Sequence, residues 1–119
     1  MTDLSQRTTE EVFDDHLRLA AEKRLEDDIA RNCAEDIVLL TNDGVFRGHN
    51  GVREAAALLE RELPDGTYEY VQKEVHGEIA FLVWTGDSPT RIIRHGADSF
   101  LIRNGKIQVM TIYFVAEPA

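Results

Sequence analysis

The chain has 119 residues, with thirteen Lys and Arg against twenty-two Asp and Glu and a formal charge of −9. That length makes a single domain, 1–119, large enough to bury a core without disulfides or a structural metal. Such a negative balance repels phosphate backbones and anionic lipid, so neither nucleic acid nor membrane is an expected partner. The one cysteine, Cys33, cannot close an internal disulfide. The N-terminus lacks the basic-then-apolar pattern of a signal peptide, and no apolar run approaches the roughly 20 residues that cross a bilayer. A soluble, cytoplasmic protein is the expectation.

Thr8-Thr-Glu-Glu11 has capping-box spacing. After it Val12, Phe13, His16, Leu17, Leu19, Ala20 and Ala21 share one side of a helix running to about Arg24, with Asp14, Asp15, Arg18, Glu22 and Lys23 outside. His16 therefore points inward. Leu25, Ile29 and Cys33 repeat at four-residue spacing and predict a short second helix, ending near 32–34, with a charged outer face. Residues 37–41 read as a strand, Asn42-Asp43-Gly44 as its turn and 45–47 as a return strand. Gly48-His-Asn-Gly51 breaks the sheet. Val52, Ala55, Ala56, Leu59 and Leu63 mark a third helix, capped by Asn50 and stopped by Pro64-Asp65-Gly66. Strands follow at 68–75 and 79–85, then a loop at 86–90 and a closing hairpin over 92–115 that turns at Asn104-Gly105, a dipeptide suited to positive φ angles.

Counting by twos along the hairpin's first strand puts Asp98 on the face of Phe100 and Ile102, the interior one. A carboxylate there is either a structurally paired acid or the working group of a pocket. Arg94 shares its face but lies roughly 13 Å away at about 3.3 Å per residue, so pairing would require its side chain to fold over. In the last strand Met110, Ile112 and Phe114 occupy one face and Val109, Thr111, Tyr113 and Val115 the other. Both are largely apolar, and a homodimer through the outer sheet face is expected.

Helices segregated from a meander of strands mean an α+β protein, three helices on a curved, mainly antiparallel sheet. The element order, the run Asp98-x-Phe100-x-Ile102-x-Asn104-Gly105-Lys106-Ile107 and Gly48-x-x-Gly51-Val52 before the third helix resemble the nuclear transport factor two superfamily. Within it, the likeness is to the SnoaL-like polyketide cyclases and the ketosteroid isomerases. The resemblance implies a cone-shaped α+β barrel. It also implies an apolar cavity lined by Phe13, Phe100, Met110, Ile112 and Phe114; without a cavity the same residues make an ordinary core. In the isomerases an acid kept protonated by its apolar site donates a hydrogen bond to the developing oxyanion. Asp98 matches that acid, which in the SnoaL-like cyclases is assigned general acid/base work. His16 matches the isomerases' oxyanion tyrosine. Their proton-abstracting aspartate falls on Thr41, whose hydroxyl is no base near neutral pH, so Thr41 stands as a lining position.

Trp84 stacks on a ligand or fills core, since strand phase leaves its face open. His49 and His76 sit in turn contexts and read as solvated. The histidines and Cys33 lack metal-ligand spacing, no Gly-x-Ser-x-Gly elbow is present, and Gly48-His-Asn-Gly51 lacks the lysine of a nucleotide loop. The leading expectation is a cofactor-independent cyclase or isomerase acting by proton transfer on a small apolar carbonyl compound, polyketide-like or steroid-like. Asp98 would be its acid/base and His16 a donor to the substrate oxygen. The alternatives are a non-catalytic small-ligand-binding module of the same fold and a dimeric structural domain in which Asp98 is merely paired.

Overall fold

The computed structural model describes residues 3–119. Its closing hairpin pairs β5 (Arg91–Arg103) with β6 (Lys106–Tyr113) around Asn104 and Gly105, whose φ angles of 55° and 70° give the expected mirror-image turn. β4 (Ile79–Asp87) pairs antiparallel with β5, and β3 (Thr67–His76) with β4. On the other side β6 pairs in parallel with β1 (Cys33–Thr41), which carries the short return strand β2 (Gly44–Arg47). A last short strand, β7 (Ala116–Pro118), pairs with β5 and was not expected from the sequence. The result is a curved, mixed seven-stranded sheet in the order β2-β1-β6-β5-β4-β3, with β7 off that path. Three helices, α1 (Thr9–Ala21), α2 (Leu25–Asn32) and α3 (Gly48–Glu62), complete an α+β fold.

Helix α1 starts where expected: Thr8 Oγ1 accepts from the Glu11 amide at 3.1 Å and Glu11 Oε1 accepts from the Thr8 amide at 2.8 Å. It stops three residues before the expected end. Lys23 turns left-handed at φ 57°, and the Arg24 amide reaches back to the Leu19 carbonyl at 2.9 Å, closing the helix in a Schellman-type turn. α2 passes into β1 without a loop, so Cys33 opens a strand instead of ending a helical stripe. α3 begins at Gly48, with Arg47 as N-cap. Asn50 is not the cap: it lies inside the first turn, where its Oδ1 accepts from Arg53 at 2.7 Å. His49, expected in solvent, is half-buried with Nε2 3.0 Å from the Cys33 carbonyl.

Val12, Phe13, Ile29, Ile37, Leu39, Ile93, Phe100 and Ile107 form the fully enclosed part of the core. Arg7 fastens the chain's start to it. Its guanidinium donates to the Asn32 side chain (2.9 Å) and to the carbonyls of Arg31 (2.8 Å) and Gly105 (2.9 Å). Asp15, read from the sequence as an outside residue, is largely covered, lying 3.4 Å from Arg7, 2.9 Å from Arg18 and 2.9 Å from Arg31. These cations hold its carboxyl far below the usual carboxylate range despite burial. No helix of the described residues is long and apolar enough to cross a membrane.

Candidate functional site

Between the inner face of the sheet and the helices lies a cavity of about 310 Å³, in the range of small-ligand sites. The sheet contributes Leu39, Leu82, Trp84, Asp98, Met110 and Ile112, and α3 adds Val52, Ala55, Ala56 and Leu59. Phe114, just past β6, and Tyr68 and Tyr70 of β3 complete the apolar wall. Lys23, Arg24 and Glu60 lie at the cavity's exposed mouth, and deeper in the lining are Asp98, His16 and Asp28.

Asp98 lies opposite Leu82 on β4 and Ile112 on β6, so all three share the inner face. Its partner is Trp84, two residues along β4, whose indole Nε1 donates to Asp98 Oδ1 at 3.0 Å. Trp84 reaches it diagonally because its cross-strand neighbour is Gly96. A Cβ built on Gly96 would overlap the indole ring, so only glycine lets that ring lie across β5 with its N–H aimed at the acid. Tyr68 and Phe114 brace the indole, with ring centroids 5.6 and 5.8 Å away. Arg94 takes no part, lying 3.6 Å from Glu117 on the surface. Burial raises the Asp98 carboxyl to about 6, although the Trp84 hydrogen bond and the charge of His16 oppose the shift.

His16 enters from α1. Its Nδ1 stands 2.8 Å from Asp28 Oδ2, and both side chains are nearly closed to solvent, 12% and 4% exposed. Asp28 is in turn held by Asn32, whose Nδ2 donates to Asp28 Oδ1 at 2.9 Å. The Asn32 side-chain oxygen accepts from Arg7, so a chain of polar contacts runs from the protein's start to the cavity. The arrangement assigns the proton on Nδ1 to Asp28 and leaves Nε2 with no partner among the described residues. Burial works against a charged ring, but Asp28, with Asp98 and Asp15, outweighs it and raises the His16 pKa above its ordinary value. Tyr70 donates its hydroxyl to the Leu17 carbonyl at 3.0 Å; burial and the neighbouring acids push it up to about 12, so it stays a neutral phenol.

The structure thus brings together Asp98, His16, Trp84, Met110, Ile112 and Phe114 around one cavity. It does not bring Phe13, Phe100 or Thr41 to it. Phe13 and Phe100 pack against each other at 5.2 Å, 1% and 2% exposed, and form the floor behind His16 rather than the lining. Thr41 shares the inner face through the row Thr41, Ile112, Asp98, but two strand spacings put it about 10 Å from the acid. Its hydroxyl is spent on the Gly44 carbonyl and the Asp43 amide, both at 3.0 Å. Asp28, Tyr68 and Tyr70 were missed. Asp28 had a signal: Leu25, Asp28, Ile29 and Asn32 fall at i, i+3, i+4 and i+7, one face of a helix. Cys33 is buried and its thiol pushed up to about 12, leaving it inert. Among the described residues no three His, Cys, Asp or Glu side chains are grouped to hold a metal ion.

Residues 13–110 match the SnoaL-like domain, and the chain belongs to that family. Similar solved structures include a Mesorhizobium loti protein provisionally described as a SnoaL-like polyketide cyclase and also as a carbohydrate phosphatase. It is 17% identical, with 90% of this chain and 99% of that one covered and a TM-score of 0.69. A Kribbella flavida protein provisionally described as a ketosteroid isomerase is 14% identical, covering 90% and 77% with a TM-score of 0.74. A nuclear transport factor two-like protein of unknown function from Cytophaga hutchinsonii is 15% identical, covering 97% and 95% with a TM-score of 0.71. At these identities the likeness carries the fold. A search of curated proteins finds no match.

Two outcomes follow from this geometry. Because Asp98 binds its proton more tightly when folded than the usual carboxylate value of 3.8, folding is unpenalised below that value and loses about 3 kcal/mol as pH rises through 6. Asp98→Asn, which keeps an acceptor for Trp84, is therefore expected to match the wild type in thermal stability near pH 3.5 and exceed it at pH 8. A constant difference across that range in a calorimetric series would contradict the assignment. Gly96→Ala is expected to displace the Trp84 indole, shifting its fluorescence, and to raise the Asp98 pKa further by removing the opposing hydrogen bond. An unchanged emission spectrum would show that the indole does not rest on Gly96.

Proposed function

We propose that this protein is a cyclase- or isomerase-like enzyme that moves a proton on a small apolar carbonyl compound bound in the cavity, needing no cofactor for the step. The observation that carries the reading is a single one: an acid, Asp98, set in the largely apolar depth of a cavity that it lines together with a histidine braced by a second buried acid. In this reading the sheet and helices close as a cone around the ligand. A ring ketone or polyketide-like compound lies against Trp84, Met110, Ile112 and Phe114, its carbonyl oxygen directed at His16 Nε2.

In this reading Asp98, its pKa raised to about 6, acts as the base, and His16, its pKa raised by the neighbouring acids, as the proton-bearing donor. Asp98 then removes a proton from the carbon beside the carbonyl, and the electron pair moves onto oxygen as an enolate. The His16 N–H stabilises that oxyanion in the apolar depth of the cavity. Where the compound carries a β,γ double bond the anion is a dienolate, and the neutral Asp98 returns the proton to its γ-carbon, completing an isomerisation to the conjugated enone. In a cyclisation the enolate carbon attacks a second carbonyl of the same molecule, and the new alkoxide takes the proton. Asp98 thus serves as the base that Thr41 cannot be, and the Asp28–Asn32 pair keeps the His16 donor in place.

Exchange of the ring α-protons of 2-tetralone in heavy water, followed by NMR, tests the chemistry. The protein should accelerate exchange, and Asp98→Asn should lose on the order of 10²–10⁴-fold. The rate should climb through about pH 6 as Asp98 ionises and fall again as His16 loses its proton. Binding of the ketone without accelerated exchange would favour the non-catalytic ligand-binding module.

We also propose a homodimer through the outer sheet face. Leu40, Phe81 and Tyr113 are 47%, 39% and 56% exposed there. The cross-strand rows Leu40–Thr111–Ser99–Phe81 and Tyr113–Ala97–Val83 make the patch continuous. Light scattering at micromolar concentration should give twice the chain mass, and Tyr113→Asp with Phe81→Asp should give one chain; a wild-type monomer would refute the interface.

A further inference from the structure

The mouth of the cavity carries a charge pattern opposite to its depth. Its solvent-exposed lining residues are Ala20, Lys23, Arg24 and Glu60, from the end of α1, the turn into α2 and α3. Arg24 is already engaged, lying 3.0 Å from Glu22 and 3.0 Å from Asp27. Glu60 accepts the Asp65 amide at 3.1 Å. Lys23 makes neither an ion pair nor a side-chain hydrogen bond among the described residues, in a chain where acids far outnumber bases. Of the basic residues without such a partner, it is the one that lines the cavity.

Its backbone adds an independent reason. Lys23 holds the left-handed position that ends α1, where glycine is the usual residue, so its side chain is carried there at a conformational cost. Deeper in, two acids, Asp98 and Asp28, line the cavity against one histidine, His16, whose Nδ1 is already engaged with Asp28, so a permanent anion is disfavoured there although a carbonyl oxygen can meet His16. The two signs orient an amphipathic molecule: an anionic end is disfavoured in the depth and favoured at the mouth. Building on the reading of the cavity as a ligand site, we propose that the natural ligand is an amphipathic organic acid. Its apolar, carbonyl-bearing ring fills the cavity, and its carboxylate meets Lys23 at the mouth.

The test compares 2-naphthoate with its neutral isostere 2-naphthamide, titrated into the full chain at low salt and read by quenching of Trp84, the single tryptophan. Naphthoate should bind about three- to fivefold tighter, as expected of a half-exposed charge pair. The preference should shrink in about 0.5 M sodium chloride, which shortens the screening length to a few ångströms. It should vanish in Lys23→Gln, and equally in Lys23→Gly, which relieves the left-handed backbone and keeps a folded control, with naphthamide affinity unchanged in both. Equal affinity for the two probes in the wild type, or a preference that survives both variants, overturns the proposal while leaving the cavity a ligand site. Quenching by neither probe overturns both readings together.

Discussion

An ionisable carboxyl inside a hydrocarbon-walled cavity is the constraint around which this fold is arranged. Among the described residues Asp98 receives one hydrogen bond, from Trp84, and no neighbouring cation beyond His16 supports its charge. One neutral donor does not offset the loss of water around a carboxylate, which is why burial raises the group to about 6. The surroundings of the pair are shaped to permit that single bond. Gly96 vacates the space the indole needs, and the antiparallel register of β4 on β5 sets the two side chains diagonally opposite.

The helical side of the cavity solves the complementary problem of orienting a histidine and favouring its charged form against the burial that disfavours it. Asp28 supplies the charge, Asn32 fixes the carboxylate, and Arg7 fixes the asparagine while also gripping the turn between β5 and β6. The hairpin that carries the acid and the helix pair that carries the histidine are therefore joined by the same guanidinium. Breaking one member of such a buried network leaves unpaired polar atoms in the interior, so its parts are expected to fail together rather than additively. The arrangement spends stability on a reactive acid and recovers rigidity around its partner.

Much of this was legible in the sequence, and the reasons differ by element. The Asn104-Gly105 turn specifies strand phase, and with it the inward direction of Asp98; the Thr8–Glu11 capping box does the same for α1 and His16. What escaped was tertiary. Asp28 looks like one of many charges on a short acidic helix, and only the packing of α2 against α1 turns it inward. The direction of Trp84 depends on a glycine across the sheet, which no single-strand pattern reveals. The partition between cavity and core was also hidden, since Phe100 and Met110 face each other across β5 and β6 yet only Met110 reaches the lining. The parallel pairing of β1 with β6 joins strands far apart in sequence, beyond the reach of local turn signals.

The most direct measurement of the central claim is the titration of the Asp98 carboxyl carbon by NMR in the intact wild-type chain. A midpoint near 6, moving upward when His16 is replaced by Gln because the opposing positive charge is removed, is the result the structure requires. A midpoint at the ordinary carboxylate value, insensitive to His16, would mean that Asp98 is solvated and unconnected to the histidine, and the proton-transfer site would not exist.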